Sequence, residues 1–138
     1  MNLSKKLGAL AAAVAVAVTA VALVASPATA TRTIKVPSQI SIRSESLKFS
    51  GRVTVPKTYE PCAGQRKVIL YKAVSGGPDQ AVGETTTSLK GAWTITPQGS
   101  AGISLARFYA KVRKLSEGTA GTIYVCQAAR SRTIKPSN

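Results

Sequence analysis

Beyond Thr31 no stretch of the chain repeats its apolar residues at the 3.6-residue spacing of a helix. Short runs instead alternate apolar with polar residues and are cut apart by Gly, Pro, Ser and Asp. That pattern restricts the folded part to strands, with helix nearly absent. Phe49 to Val55 sets Phe49, Val53 and Val55 on one face and Lys48, Ser50, Arg52 and Thr54 on the other, and Pro56 closes the run. Lys67 to Lys72 is apolar on both faces through Val68-Ile69-Leu70, as a central strand requires. After a turn at Ser75 to Asp79, the run Ala81 to Ser88 is expected as its hairpin partner. Lys90-Gly91 marks a tight turn before Ala92 to Thr96, where Trp93 and Ile95 share a face, and Pro97 to Gly102 reads as a loop. Arg107 to Val112 alternates again. A loop is expected at Ser116-Glu117-Gly118, then a strand from Gly121 to Ala128, and Ser131 to Lys135 is a candidate edge strand.

The first thirty residues have a different character. Lys5 and Lys6 precede an uncharged, Ala- and Val-rich run from Leu7 to Ala25; Ser26-Pro27 ends it, and Ala28-Thr29-Ala30 supplies small residues at −3 and −1. These are the parts of a helical, cleavable secretory signal, which sets the expected mature start at Thr31. An uncleaved anchor is the rival reading, because the run is just long enough to span a bilayer. With no Cys at the junction and no apolar C-terminal tail, no lipid anchor or stable membrane span is expected after cleavage, and the product should be secreted or extracellular. The expected division is residues 1–30 as signal, 31–46 as an extended N-terminal segment, and 47–138 as one β-domain.

A domain of about a hundred residues folds alone with little margin, so a cross-link matters. Cys62 and Cys126 are the only two cysteines, and an oxidising compartment makes a disulfide the expected state, with two free thiols as the alternative. In the chain-entropy model a loop of that size is worth about 4 kcal/mol, comparable with the whole net stability of a small domain.

About seven short strands, a long-range disulfide and one Trp suit an antiparallel two-sheet Greek-key sandwich. Tyr124, two residues before Cys126, stands where a tyrosine corner stands in immunoglobulin-type sandwiches, whereas Trp93 comes much later after Cys62 than an immunoglobulin strand-C Trp would. Phe49-Ser50-Gly51-Arg52-Val53, Val68-Ile69-Leu70-Tyr71, the stretch from Val82-Gly83 through Thr85-Thr86-Thr87 to Gly91-Ala92-Trp93, and Phe108-Tyr109-Ala110-Lys111-Val112 together resemble the transthyretin-like, carboxypeptidase-regulatory-like (Ig-like) modules of secreted bacterial proteins. The resemblance spans Phe49 to Ala128. It implies a seven-stranded Greek-key sandwich that serves folding, attachment or binding and is not itself catalytic, and it carries over no ligand residues.

The residue inventory points away from catalysis. The chain has no His, the thiols are expected in a bridge, and the five acids (Glu45, Glu60, Asp79, Glu84, Glu117) are scattered, with no spacing that makes a carboxylate pair. There is no Ser-x-x-Lys beyond Thr31 and no Gly-x-Ser-x-Gly elbow. No enzyme activity, cofactor or metal site is expected, the last for want of His and clustered carboxylates.

Charge is the feature that suggests partners. Of 19 basic residues, Lys5 and Lys6 lie in the expected signal, which leaves 17 against five acids. Period-two geometry puts Arg107, Tyr109, Lys111 and Arg113 on one face of one strand, opposite Phe108, Ala110 and Val112, with Lys114 following. Lys48, Arg52 or Lys67 on neighbouring strands could widen this stripe. It could hold anionic envelope polymers or other polyanions, through cations flanking an aromatic. The same charges also suit a solvated face that guards against edge pairing. Two functions therefore stand: a structural or adhesive module at the envelope or outside the cell, whose partners could include other proteins, and a polyanion-binding protein that uses the basic strand. Arg32-Thr33-Ile34-Lys35 recurs as Arg132-Thr133-Ile134-Lys135, an echo that chance accounts for, with descent from a tandem array or edge-strand pairing between molecules as the alternatives.

Overall fold

The computed structural model describes residues 30–98 and 105–137, and the ordered elements there are strands with a single 3-10 segment. Of the expected signal, only Ala30 falls among them. In chain order the elements are β1 (Arg32–Val36), β2 (Gln39–Ile40), β3 (Arg43–Glu45), β4 (Lys48–Thr54), the 3-10 segment (Lys57–Cys62), β5 (Lys67–Ala73), β6 (Gln80–Thr86), β7 (Ala92–Ile95), β8 (Arg107–Val112), β9 (Leu115–Thr119), β10 (Thr122–Cys126) and β11 (Ala129–Arg130). The described part of the chain is all-β, as its alternation requires. No helix among the described residues is long and apolar enough to cross a membrane.

Three hydrogen-bonded sheets form, and none closes on itself. The first centres on β4, which pairs antiparallel with β2 and β3 along one edge and with β7 along the other. The second has the order β11-β8-β5-β6, antiparallel throughout. In the third, β10 lies between a parallel β1 and an antiparallel β9.

Two interruptions conceal longer strands. β2 and β3 share one register against β4, from Gln39↔Thr54 to Glu45↔Lys48, and the ladder breaks only around Ser41, whose Oγ takes the Arg52 N–H at 2.9 Å. Gly51 sits at this break because nothing larger fits: a Cβ there would fall onto the Ser41 carbonyl oxygen and 2.9 Å from the Trp93 indole nitrogen. Likewise β8 with β9, and β10 with β11, are two arms of one long hairpin. Val112↔Ala129 and Leu115↔Cys126 belong to the same register, broken between them at residues 113–114 and 127–128. The near half of that hairpin belongs to the second sheet and the far half to the third.

The main core lies between the first two sheets. Ile40, Ile42, Phe49, Val53, Trp93 and Ile95 on one side meet Val68, Leu70, Phe108, Ala110 and Val112 on the other, and the rings of Phe49 and Phe108 lie 4.7 Å apart. Burial of such side chains is worth about 1.5–3 kcal/mol each against leaving them exposed. A smaller core of Val36, Cys62 and Cys126, with Ile34, Val55, Tyr59, Leu115 and Tyr124 around it, sits under the third sheet.

The structure departs from the sequence expectations in four places. The extended segment 31–46 carries three strands, because its backbone completes two sheet edges. Ser116-Glu117-Gly118 belongs to β9, held by pairing with β10 although it lacks apolar alternation. Residues 131–135 make a single bridge, Phe108↔Ile134, in place of a strand. Residues 57–62 form the 3-10 segment that delivers Cys62 to Cys126.

Candidate ligand face

On β8, Phe108, Ala110 and Val112 point into the core, while Arg107 and Lys111 are exposed on the opposite side. Tyr109 belongs to that opposite side yet is only 2 % exposed. Three neighbours cover it. Tyr71, directly across on β5, stacks on it with centroids 5.3 Å apart and planes 11° from parallel. Arg130, which pairs with Lys111 across β8 and β11, places its Cζ over the ring, 3.8 Å from the centroid. The Tyr109 hydroxyl donates to Asp79 Oδ2 at 2.6 Å, and Asp79 Oδ1 accepts the Val74 N–H at 3.1 Å. Lys111 Nζ lies 5.2 Å and 5.7 Å from the centroids of Tyr71 and Tyr109, within cation–π range of both. Arg130, Tyr109 and Tyr71 thus form a ladder across three strands.

The titration of this cluster follows from its contacts. The Tyr109 hydrogen bond, and then the Val74 N–H, hold the Asp79 carboxyl below its usual range. Burial, and then the Asp79 bond, push the Tyr109 phenol up. Near pH 7 the pair is therefore carboxylate and neutral phenol, with the proton on tyrosine.

Beside the ladder is a shallow depression of about 460 Å³. Ile69, Ala128 and Ala129 give it an apolar floor, Tyr71 stands as a wall, and Lys111, Arg113, Lys114 and Arg130 contribute cations. Among the described residues no carboxylate lines it. Arg113 lies just past the end of β8, where its N–H bonds the Lys67 carbonyl at 2.9 Å, and its side chain joins Lys111 at the depression. Arg107 sits at the far end of β8 opposite Ala73, away from the depression. The structure thus brings Lys111 and Arg113 together, sets Arg107 apart, and turns Tyr109 from a surface aromatic into a buried support.

The widening expected from other strands takes a different course. Lys48 and Arg52 lie on β4 in the first sheet and do not adjoin this face. Lys67 does adjoin it through β5, but its ammonium pairs with Glu84 at 3.0 Å on an open surface. Arg130 and Lys114 supply the extra charge. Extending the hairpin register from the Gly121 turn would have set residue 130 opposite 111 and revealed the first of them.

Sequence reasoning also missed Arg66, a charged residue only 1 % exposed. Its guanidinium donates to the carbonyls of Cys62 (2.6 Å), Arg113 (2.7 Å), Gln127 (2.9 Å) and Cys126 (3.3 Å) and to Ser38 Oγ (3.2 Å). Burial lowers its pKa, partly opposed by the charge of Glu117. Beside it Cys62 and Cys126 form the expected disulfide, Cα to Cα 5.4 Å. Arg66 thus ties both cysteine carbonyls to the break in the long hairpin. Among the described residues no three His, Cys, Asp or Glu side chains gather as a metal site would require.

No protein-family model matches the chain, and no curated protein matches it.

Proposed function

We propose that the chain is an exported, non-catalytic module with an adhesive role at the cell envelope or outside the cell, and that it adheres by holding anionic polymers on the outer face of β5, β8 and β11. The underlying architecture in this reading is the Greek-key sandwich of the transthyretin-like, Ig-like class. Its support is that the β4-centred sheet and the β11-β8-β5-β6 sheet share one core, and that the chain changes sheet at β4–β5, β6–β7 and β7–β8. The disulfide supports export, since such bonds persist in oxidising compartments.

The observation that carries polymer binding is the Arg130–Tyr109–Tyr71 ladder beside a depression that has four cations and no carboxylate. A guanidinium backed by a ring that is itself bonded to Asp79 keeps its orientation, so less side-chain entropy is lost when its outer N–H groups meet an anion. Lys111 adds a point charge across the strand pair. Each exposed contact is weak, but several together release counterions, so affinity falls steeply as salt rises.

The test is retention of the oxidised protein on dextran sulfate and polyphosphate columns at two salt concentrations. The triple substitution Lys111→Gln, Arg113→Gln and Arg130→Gln should elute at clearly lower salt than the parent, with the native spectrum kept and the melting midpoint lowered only by the lost cation–π contacts. Arg107→Gln alone should change elution less. Equal retention of parent and triple variant would refute the site, and no retention of the parent would leave the structural role alone.

A further inference from the structure

A second cleft, about 170 Å³, opens between the 3-10 segment and the third sheet. Ligand pockets commonly run about 300–1,000 Å³, so this one has room for a single ring-sized group. Tyr59 and Pro61 line it from the segment, Tyr124 and Glu117 from the sheet, and Cys62 closes its base. Tyr124 and Glu117 are directly opposite one another on β10 and β9. Tyr59 lies three residues before Cys62 and Tyr124 two before Cys126, so the disulfide clamps both walls and sets their separation. The two rings, 5.8 Å apart and inclined at 55°, make a corner.

Among the described residues no side-chain hydrogen bond or ion pair uses the polar atoms of that corner. A tyrosine-corner role would have the Tyr124 hydroxyl bonded to nearby backbone. Among the described residues the hydroxyls of Tyr59 and Tyr124 make no hydrogen bond, and Glu117 has no ion-pair partner. An aromatic corner is therefore rimmed by two hydroxyls and a carboxylate acceptor.

We infer that this cleft binds one uncharged sugar ring. A pyranose presents a C–H face, which packs against an aromatic ring, and hydroxyls at its edge that donate to a carboxylate. Among the described residues the lining contains no cation, and its carboxylate repels anions, so the polymer groups held by the outer face of β8 are excluded. A cationic guest is disfavoured as well. Arg66 lies behind the base of the cleft, bonded to both cysteine carbonyls, and its charge already acts on Glu117 in a protein that carries a large positive excess. What remains is a neutral, hydroxyl-rich ring. This site is independent of the polymer-binding face.

The experiment is to record the tyrosine ring resonances of the oxidised protein during titration with methyl β-D-glucopyranoside, methyl α-D-mannopyranoside and N-acetyl-D-glucosamine, with tetramethylammonium chloride as the cationic comparison. At least one sugar should shift Tyr59 and Tyr124 saturably and leave Tyr71 and Tyr109 unmoved. Glu117→Ala, at an exposed position, should keep the fold and weaken that sugar about tenfold, as expected for loss of one charge-assisted hydrogen bond. Silence from all three sugars, shifts with tetramethylammonium alone, or unchanged affinity in Glu117→Ala would each overturn the assignment. Column retention on polyanions does not depend on this cleft, so failure of one reading leaves the other standing.

Discussion

Arg130 lies over Tyr109, its Cζ 3.8 Å from the ring centroid, and the two meet because β11 resumes the register of β10 beyond the break at residues 127–128. The buried ring fixes the cation, and Asp79 fixes the ring.

Asp79 should give this cluster a pH signature. A carboxyl held below its usual value contributes stability that is present above about 3.8, the unfolded value, and is lost as pH falls through the lower folded value. Tyr109, raised above 10.0, contributes stability that is present below that pH and lost as pH rises past it. Asp79→Asn should therefore melt earlier than the parent at neutral pH, with the two curves converging in acid. A constant gap in melting midpoint from neutral pH down to strong acid would contradict this.

Arg66 should be among the most sensitive positions outside the main core. Arg66→Met removes the donor shared by four backbone carbonyls and should cost about 2–4 kcal/mol in urea unfolding with an unchanged slope. Arg66→Lys should recover little of that, since three donors at one point cannot reproduce the planar fork. Parent-like stability in Arg66→Lys would show that charge alone matters there.

For the disulfide, denatured but unreduced protein should take up no alkylating agent. The Cys62→Ser, Cys126→Ser double variant should lose about 4 kcal/mol, the loop-closure value, less any strain relieved. Because Arg66 still donates to both carbonyls, the loss should appear as a lower denaturant midpoint with the native spectrum retained.

Gly51→Ala tests the break between β2 and β3. Its new methyl group meets the Ser41 carbonyl and the Trp93 indole at once, so destabilisation of about 1–3 kcal/mol is expected, as for other overpacked cores. A neutral result would mean that Ser41 can turn its carbonyl back into the ladder.

How much of this was legible in the sequence depended on the range of the interaction. Alternation located Phe108, Ala110 and Val112 in the core and Val68 to Leu70 in a central strand, because each side chain's face follows from its parity. It gave the face of Tyr109 but not its cover, which comes from Tyr71 and Arg130 on other strands and from Asp79 in the loop between β5 and β6. β9 escaped because Ser116-Glu117-Gly118 carries no apolar rhythm; its partner's backbone holds it. Arg66 escaped for a related reason. A lone arginine before a strand reads as surface, and only folding gathers carbonyls from three separate segments around it. Tyr124 was noticed for its distance from Cys126, but its pairing with Tyr59 needed the fold.

The shared register of the long hairpin gives the Cys62–Cys126 bond a role in proofreading. With β8 held in place by β5, a slip of one residue between the arms would turn the β10–β11 strand over, swing Arg130 away from Tyr109, and carry Cys126 to the wrong side of the third sheet. Such a chain could not close the bridge without undoing the error. Oxidation is thus a check on alignment as well as a staple, and a molecule that passes it sets Arg130 beside Tyr109 on the outer face.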